Sequence, residues 1–444
     1  GTANEWAIRS YFGRVAYNFK SKYWFEMNAR YDGSSRINPD NRWGFFPSIS
    51  GAWRISEETF AESLGWMDNL KIRASWGKLG NQNIGNYPYQ EVLSTTSYPF
   101  GGSTSAGVRQ TRLVDQTLQW ETTTMADIGI DLSISGGLLT ATLDWYDKVT
   151  DDILYGIPVP ASVGLSAPTV NFGKMRNKGI EIDLGHAQQL GDFGYRVNFN
   201  VSRNRNEVLR ILSPTFGERT IQVGLPWNSH YLIEFDGIFQ NQAEIDAAPV
   251  HPFNPKPGDL KYKDQNGDNK INSDDRVVVD GAYPDFIYGA NLSVSWKNFS
   301  VSAFFQGISG QKVNSRVLTW GLGNFMQGSP PPVDFVENRW TPDNPTNEYP
   351  AIFGNGYGPV TGTPSTYWLH DASYLRLKNL LIEYHVPSNI VEKIGLRDLR
   401  VYASGDNLFT ITNYKGADPE ALDNNWFTAY PQIQIFTLGV RVKL

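Results

Sequence analysis

From Tyr11 the chain alternates in character. Tyr11, Gly13, Val15, Tyr17 and Phe19 fall on one side of an extended strand, and Ser10, Arg14, Ala16, Asn18 and Lys20 fall on the other. After a tight turn at Lys20, Ser21 and Lys22 the pattern returns, with Tyr23, Phe25, Met27, Ala29 and Tyr31 set against Lys22, Trp24, Glu26, Asn28 and Arg30. A side-chain period of two marks β-strands, so these runs predict a hairpin with one apolar face and one densely charged face. The design recurs at Leu70, Ile72, Ala74 and Trp76, at Leu139, Ala141, Leu143 and Trp145, and at Tyr195, Val197, Phe199 and Val201. It returns at Tyr288, Ala290, Leu292, Val294 and Trp296 and at Phe436, Leu438, Val440, Val442 and Leu444. About 13 segments of this kind reach the length that a tilted membrane strand needs.

The connections alternate between short and long. Short ones lie at Lys20–Lys22, Ser133–Gly137, Lys297–Asn298 and around Pro387–Arg397, and long ones cover about 81–116, 148–178, 206–285, 308–372 and 410–431. Short turns on one side and long loops on the other are the habit of membrane barrels. Tyr231–Phe239 also reads as a strand, but a crossing there would put the Lys297 turn on the wrong side, so it is expected inside the 206–285 loop. A soluble sandwich alternates too, with its apolar face buried. Aromatic bracketing of both strand ends together with a charged opposite face instead suits lipid outside and a wet lumen inside. By parity the chain starts on the outer side with an odd number of strands, so further barrel strands are expected from residues outside it.

Composition sharpens this picture. Aromatic residues make up 14% of 444 residues, with 42 Gly and 25 Pro, as many strands punctuated by turns require. Mean hydropathy is -0.38, and no apolar run approaches the roughly 18 residues of a membrane helix. A helical membrane protein is thereby excluded, whereas a barrel, in which only alternate residues meet lipid, is not. A net charge of -6 without a basic run argues against a nucleic-acid partner. The absence of cysteine removes disulfides and thiolate chemistry. The opening GTANEWAIRS has no export-signal pattern, so any such signal is expected elsewhere.

At this point particular runs stand out: DGSSRINPDNRWGFFPSISGAWRISEE (32–58), LKIRASWGKLGNQNIGNYPY (70–89), LQWETTTMADIGIDLSI (118–134), NKGIEIDL (177–184), PGDLKYKDQNGDNKINSDDR (257–276), NRWTPDNP (338–345), SYLRLKNLLIEY (373–384) and LRVYASGDNLFTIT (399–412). In order, and over essentially the whole chain, they resemble the barrel of SusC/RagA-family TonB-linked outer-membrane proteins. The resemblance implies an all-β fold, a transmembrane antiparallel β-barrel of about 22 strands whose C-terminal part is this chain. It implies a plug domain and a TonB-contacting segment upstream of residue 1, a SusD-like surface lipoprotein as lid, and the outer membrane of a Gram-negative, Bacteroidetes-like bacterium. One departure is the end at Leu444, where such barrels commonly finish on an aromatic residue.

The sharpest chemical motif runs from Asp264 to Asp275. Asp264, Asn266, Asp268 and Asp275 stand at positions 1, 3, 5 and 12 of a calcium loop, with the Lys270 carbonyl at 7 and Asn272 at 9. Position 6 is Asn269 where such loops carry Gly, and Asp275 is shorter than the usual Glu. A calcium or magnesium ion here would pin a long outer loop, whereas the bland alternative is a solvated acidic turn. Arg14, Lys22, Arg30, Arg73 and Arg196 on the charged faces are expected to pair with plug or neighbouring strands rather than with substrate. His186, His230, His251, His370 and His385 lack metal or triad spacing. Asp151 and Asp152 are adjacent, and neighbours on an extended strand point to opposite faces, so no shared acid–base site is expected. Trp227, Trp320, Trp368 and Trp426 could stack on sugar rings, though loop packing or interface anchoring weighs heavier. Nothing suggests an enzyme.

The expected function is therefore TonB-dependent import of a nutrient, oligosaccharide first and peptide second. Two readings from other classes stay open: a passive outer-membrane channel, and a secreted calcium-dependent glycan-binding β-protein. No substrate-binding residue is assigned.

Overall fold

The computed structural model describes residues 3–61, 63–157, 159–314, 333–351, 363–416, 418–420 and 432–443. Thirteen long strands dominate it: β1 (Ile8–Phe19), β2 (Tyr23–Ser34), β3 (Trp43–Arg54), β4 (Met67–Asn81), β5 (Glu121–Ile134), β6 (Leu139–Gly156), β7 (Thr169–Leu190), β8 (Phe193–Arg210), β9 (Phe286–Trp296), β10 (Phe299–Ser309), β11 (Tyr374–His385), β12 (Asp398–Thr412) and β13 (Ile435–Lys443). They form one antiparallel sheet whose strand order is the chain order. Sequence neighbours pairing throughout is what short turns at one end of each hairpin impose.

The chain divides into two compact units. In the first (residues 1–186, 204–214 and 222–226), the predicted hairpin is present, with Tyr17 opposite Phe25 and Phe19 opposite Tyr23. Its apolar face is bare: Tyr17 is 60% exposed, and Phe25, Met27, Ile49, Trp76, Ile128 and Leu143 on the following strands are exposed as well. The opposite face is tied together by charge. Arg14 meets Glu26 at 2.6 Å, Arg73 reaches Asp131 at 3.3 Å and Asp144 at 2.7 Å, and Lys174 meets Asp151 at 2.7 Å. The second unit (187–203, 215–221 and 227–444) repeats the arrangement, with Leu292, Val294, Val301 and Ile382 exposed and Leu438 85% exposed.

In water such a surface would be an aggregation hazard, because contiguous exposed apolar area is rare in soluble monomers. Against hydrocarbon it is the stable choice, since the ladder hydrogen bonds satisfy the backbone and the apolar stripe needs no protein partner. The packed cores lie in the connections instead. Ile37, Phe46 and Trp120 form one in the first unit, backed by Ile84, and the larger one belongs to the second unit.

Two connections differ from their expected extents. β6 and β7 stay paired as far as Gly156 opposite Thr169, so only 157–168 remains where 148–178 was expected. Polar residues on both sides hide the alternation there, and cross-strand pairs such as Arg176 with Asp147 carry the ladder instead. β8 runs to Arg210, which shortens the 206–285 connection to 211–285. The link between β3 and β4 makes a chain of tight turns through its described residues, 55–61 and 63–66. Tyr231–Phe239 makes no crossing. Ser229–Ile233 joins a four-stranded sheet with Thr215–Phe216, Arg219–Ile221 and Arg276–Val279, and Phe235–Ile238 pairs with Leu260–Tyr262.

Candidate functional site

Within the second unit, the connections after β8 and β10 pack on one another around apolar side chains. Ile233, Ile238, Leu260, Tyr262 and Ile271 meet Phe335, Trp340, Tyr349 and Trp368 in one buried cluster. Tyr367 stands edge-on to Trp368, with ring centroids 4.8 Å apart, and Phe335 is perpendicular to Tyr349 at 5.3 Å. Edge-to-face pairs add to the area they bury and fix ring orientation. A cleft of about 510 Å³ opens beside this core, lined by Asp334, Tyr349, Tyr367, Trp368, His370 and Lys415 among others.

Charge in the cleft is held by pairing. The Lys415 ammonium donates to Glu348 at 3.0 Å and to the Tyr349 hydroxyl at 2.7 Å, and Tyr349 donates to Asp334 at 2.5 Å. Burial works against the Lys415 charge, but these acceptors outweigh it and raise its pKa. Burial lowers the pKa of His370 and raises that of Tyr367, so both are neutral near pH 7. At the root of β11, Arg376 is buried and donates to Asp418 at 2.7 Å and Glu420 at 2.6 Å, while Lys378 also reaches Glu420 at 2.7 Å.

The Asp264–Asp275 motif folds into a compact loop. Asp264 accepts from the backbone N–H of Gly267 at 2.7 Å and of Asn269 at 2.8 Å; Asn266 accepts from Asp268, Asp268 from Lys270 and Asn272 from Asp274. Asp275 is fully buried, and its two oxygens accept from Gln265 at 2.9 Å and Asn272 at 2.8 Å. Asn269 has φ 64°, a left-handed conformation that Asn tolerates, which accounts for its standing where Gly was expected. Among the described residues no group of three or more His, Cys, Asp or Glu is set to hold a metal ion.

The charged-face cations mostly find partners on their own or neighbouring strands. Besides Arg14 and Arg73, Lys22 approaches Glu58 at 3.6 Å and Arg30 approaches Asp32 at 3.2 Å, while Arg196 lies opposite Ser293. His230 is buried with its Nε2 3.0 Å from the Lys312 carbonyl, and burial pushes its pKa down to about 4. His251 packs on Tyr262 with centroids 5.3 Å apart, His385 sits 2.9 Å from Glu383, and His186 lies opposite Leu139. Trp368 is buried in the loop core and presents no open platform; Trp227 is half-buried, and Trp320 and Trp426 lie outside the described residues.

Asp151 and Asp152 do not point apart. A bulge between Thr150 and Ile153, with Asp152 at φ 55°, turns both carboxylates toward Arg210, at 2.8 and 3.3 Å. The expectation of opposite faces fails because a bulge breaks the strand's period of two. The result is an ion cluster completed by Lys174. The Arg376–Asp418–Glu420 cluster escaped the sequence reading altogether, its only hint being the charges of Arg376 and Lys378 interleaved with Leu375 and Leu377.

A family profile described as "TonB dependent receptor-like, beta-barrel" matches residues 1–408. TonB-dependent receptor P26 of Formosa agariphila is 34% identical, over 98% of this chain and 46% of its own length. TonB-dependent receptor SusC of Bacteroides thetaiotaomicron is 30% identical, over 98% of this chain and 43% of its own. Among solved structures, the RagAB peptide importer in its open-open state aligns with a TM-score of 0.84 at 28% identity, covering 99% of this chain and 47% of that one. The chain thus spans about half the length of the curated relatives it matches.

Proposed function

Because the chain belongs to the family of TonB-dependent receptor-like β-barrels, in its SusC/RagA branch, we propose that it forms barrel wall in an importer that moves a nutrient oligomer across the outer membrane of a Gram-negative bacterium. The observation that carries this reading is the division of the thirteen-stranded sheet into an exposed apolar face and an ion-paired polar face. A wall with that division separates hydrocarbon from an aqueous bore. Energy comes through TonB, a plug fills the bore, and a SusD-like surface lipoprotein closes over the outer loops. Oligosaccharide is the first cargo, on the resemblance of the sequence alone. Peptide is the second, favoured by the likeness to the RagAB peptide importer.

On donor spacing alone the Asp264–Asp275 loop is read as a calcium or magnesium site with Asp264, Asn266, Asp268, the Lys270 carbonyl, Asn272 and Asp275 as ligands, although in the fold its carboxylates are engaged by backbone N–H groups. The ion would hold a loop in place, and no step of transport runs through it.

Uptake by cells carrying the full-length gene, against a deletion strain, tests the import reading. Labelled oligosaccharide or peptide should enter only with the gene, and collapse of the proton gradient should stop it. Uptake that persists without the gradient identifies a passive channel. Recovery of the protein in the aqueous fraction without detergent identifies the secreted binding protein.

A further inference from the structure

In the link from β3 to β4, the described residues 55–61 and 63–66 carry an exposed apolar surface on a folded backbone. Its backbone closes a series of tight turns, with N–H to carbonyl bonds from Glu58 to Ile55, Ala61 to Glu58, Leu64 to Ala61 and Met67 to Leu64, at 2.8 to 3.0 Å. Ala61 is buried, yet Phe60 is 66% exposed, and Leu64 and Trp66 are exposed beside it. Large apolar side chains held out on an ordered link call for an apolar neighbour.

The link is fastened to one face of the sheet. Glu58 accepts from the Tyr23 hydroxyl at 2.5 Å and from Trp53 Nε1 at 3.1 Å, with Lys22 3.6 Å away. Tyr23 and Trp53 face each other in register, and Trp53 faces Ile72, all on the exposed apolar stripe that continues through Phe25 and Met27. Glu57, one residue earlier, turns instead toward Arg54 on the charged face, at 3.9 Å. At its far end the link is held again, since the Trp66 carbonyl accepts from Ser135 N–H at 2.8 Å and Asp68 accepts from Gly137 N–H at 3.0 Å.

Tyrosine and tryptophan at the end of a lipid-facing stripe keep their rings in hydrocarbon and their polar tips at the headgroups. The Glu58 carboxylate, bonded to both tips, therefore marks the headgroup level. Phe60 follows two residues later, a reach of at most about 7 Å of chain, and a headgroup layer is roughly 5–8 Å deep. Phe60 cannot leave that layer for open water by more than its own width.

We propose that residues 55–61 and 63–66 form an interfacial anchor that lays Phe60, Leu64 and Trp66 into the headgroup–acyl boundary of the membrane leaflet on the short-turn side of the barrel. This rests on the outer-membrane reading and extends it, because the contact is made by a link between strands and lies flat in the interface. Its partner is the phospholipid surface, chosen over a protein by continuity with the apolar stripe at Tyr23, Trp53 and Ile72.

The chain has no cysteine, so Phe60→Cys and Leu64→Cys each accept a single nitroxide label in the full-length protein, with any cysteine elsewhere replaced. Reconstituted in phosphatidylethanolamine–phosphatidylglycerol nanodiscs, both labels should collide several-fold more with oxygen, relative to a water-soluble nickel chelate, than a label at Glu57→Cys. A label at Met27→Cys serves as the hydrocarbon reference. Labels at positions 60 and 64 that match the Glu57 label, or that are shielded from both reagents, overturn the anchor. A Met27 label open to the nickel chelate overturns the membrane reading itself, which separates the two failures.

Discussion

Arg376 and Asp418 form a salt bridge of 2.7 Å in which the side chains are only 4% and 3% exposed. The residues lie far apart in sequence, and their meeting fixes the start of the β12–β13 connection against β11. Burial drives the Asp418 carboxyl upward in pKa, but Arg376 and the N–H groups of Glu420 and Gln432 outweigh it and leave it below its usual value. Removing one partner strands a charge in a dry site, which typically costs about 3–5 kcal/mol. Arg376→Met should therefore free residues 413–416 and 418–420 and speed their cleavage by added protease in the intact protein. An unchanged cleavage rate would mean that the pair contributes nothing to holding this connection.

The two faces of one strand should respond oppositely to the same charge. Leu292 is exposed on the apolar stripe, opposite Val197 and Ala303, and Ser293 faces the other way, opposite Arg196 and Ser302. Leu292→Arg should lower folding stability in lipid vesicles by about 2–4 kcal/mol. Ser293→Arg should cost much less, and denaturant titration of the two variants side by side decides.

His230 makes the small sheet of the 211–285 connection sensitive to acid. Its folded pKa of about 4, set by burial with Arg219 and Lys312 nearby, lies below the ordinary value of 6.5. The unfolded segment therefore binds the proton first, so stability is full above the ordinary value and declines as pH falls toward the folded one. The decline totals about 3 kcal/mol at one pKa unit per 1.4 kcal/mol. Amide exchange of Ser229–Ile233 and Arg276–Val279, corrected for intrinsic rates, should accelerate over that window, and His230→Gln should flatten the response. A flat response in the parent protein would show that His230 is not the sensor.

The Asp264–Asp275 loop needs a test that separates scaffold from ion. Asp264 and Asp268 already accept backbone N–H groups, so Asp264→Ala with Asp268→Ala should increase loop proteolysis whether or not metal binds. The parent protein is the decisive arm. If calcium or magnesium sits there, a chelator should raise its cleavage and added ion should reverse it, and equal cleavage in both conditions removes the ion from the account.

The candidate site was less legible than the strands. Trp368 reads in sequence as a packing or anchoring residue ahead of a sugar platform, and its contact with Tyr367 and the Ile233–Tyr349 cluster places it in the core. Asp151 and Asp152 obeyed no periodic rule, because a single residue at positive φ reversed the expected geometry. Glu58 gave no signal at all, since register on β2 and β3 brings its distant partner Tyr23 beside Trp53.

What the amino-acid order determined by itself was the wall: the strands, their antiparallel succession, and which face of each is apolar. A strand's period of two is local, so every residue declares its side through its immediate neighbours. Tertiary structure decided the rest, namely how far β6 and β7 stay paired, which loop aromatics are buried, and that Arg376 would find Asp418. Those outcomes depend on contacts between distant segments, where closure of the chain and mutual packing, with no repeating pattern to announce them, select the geometry.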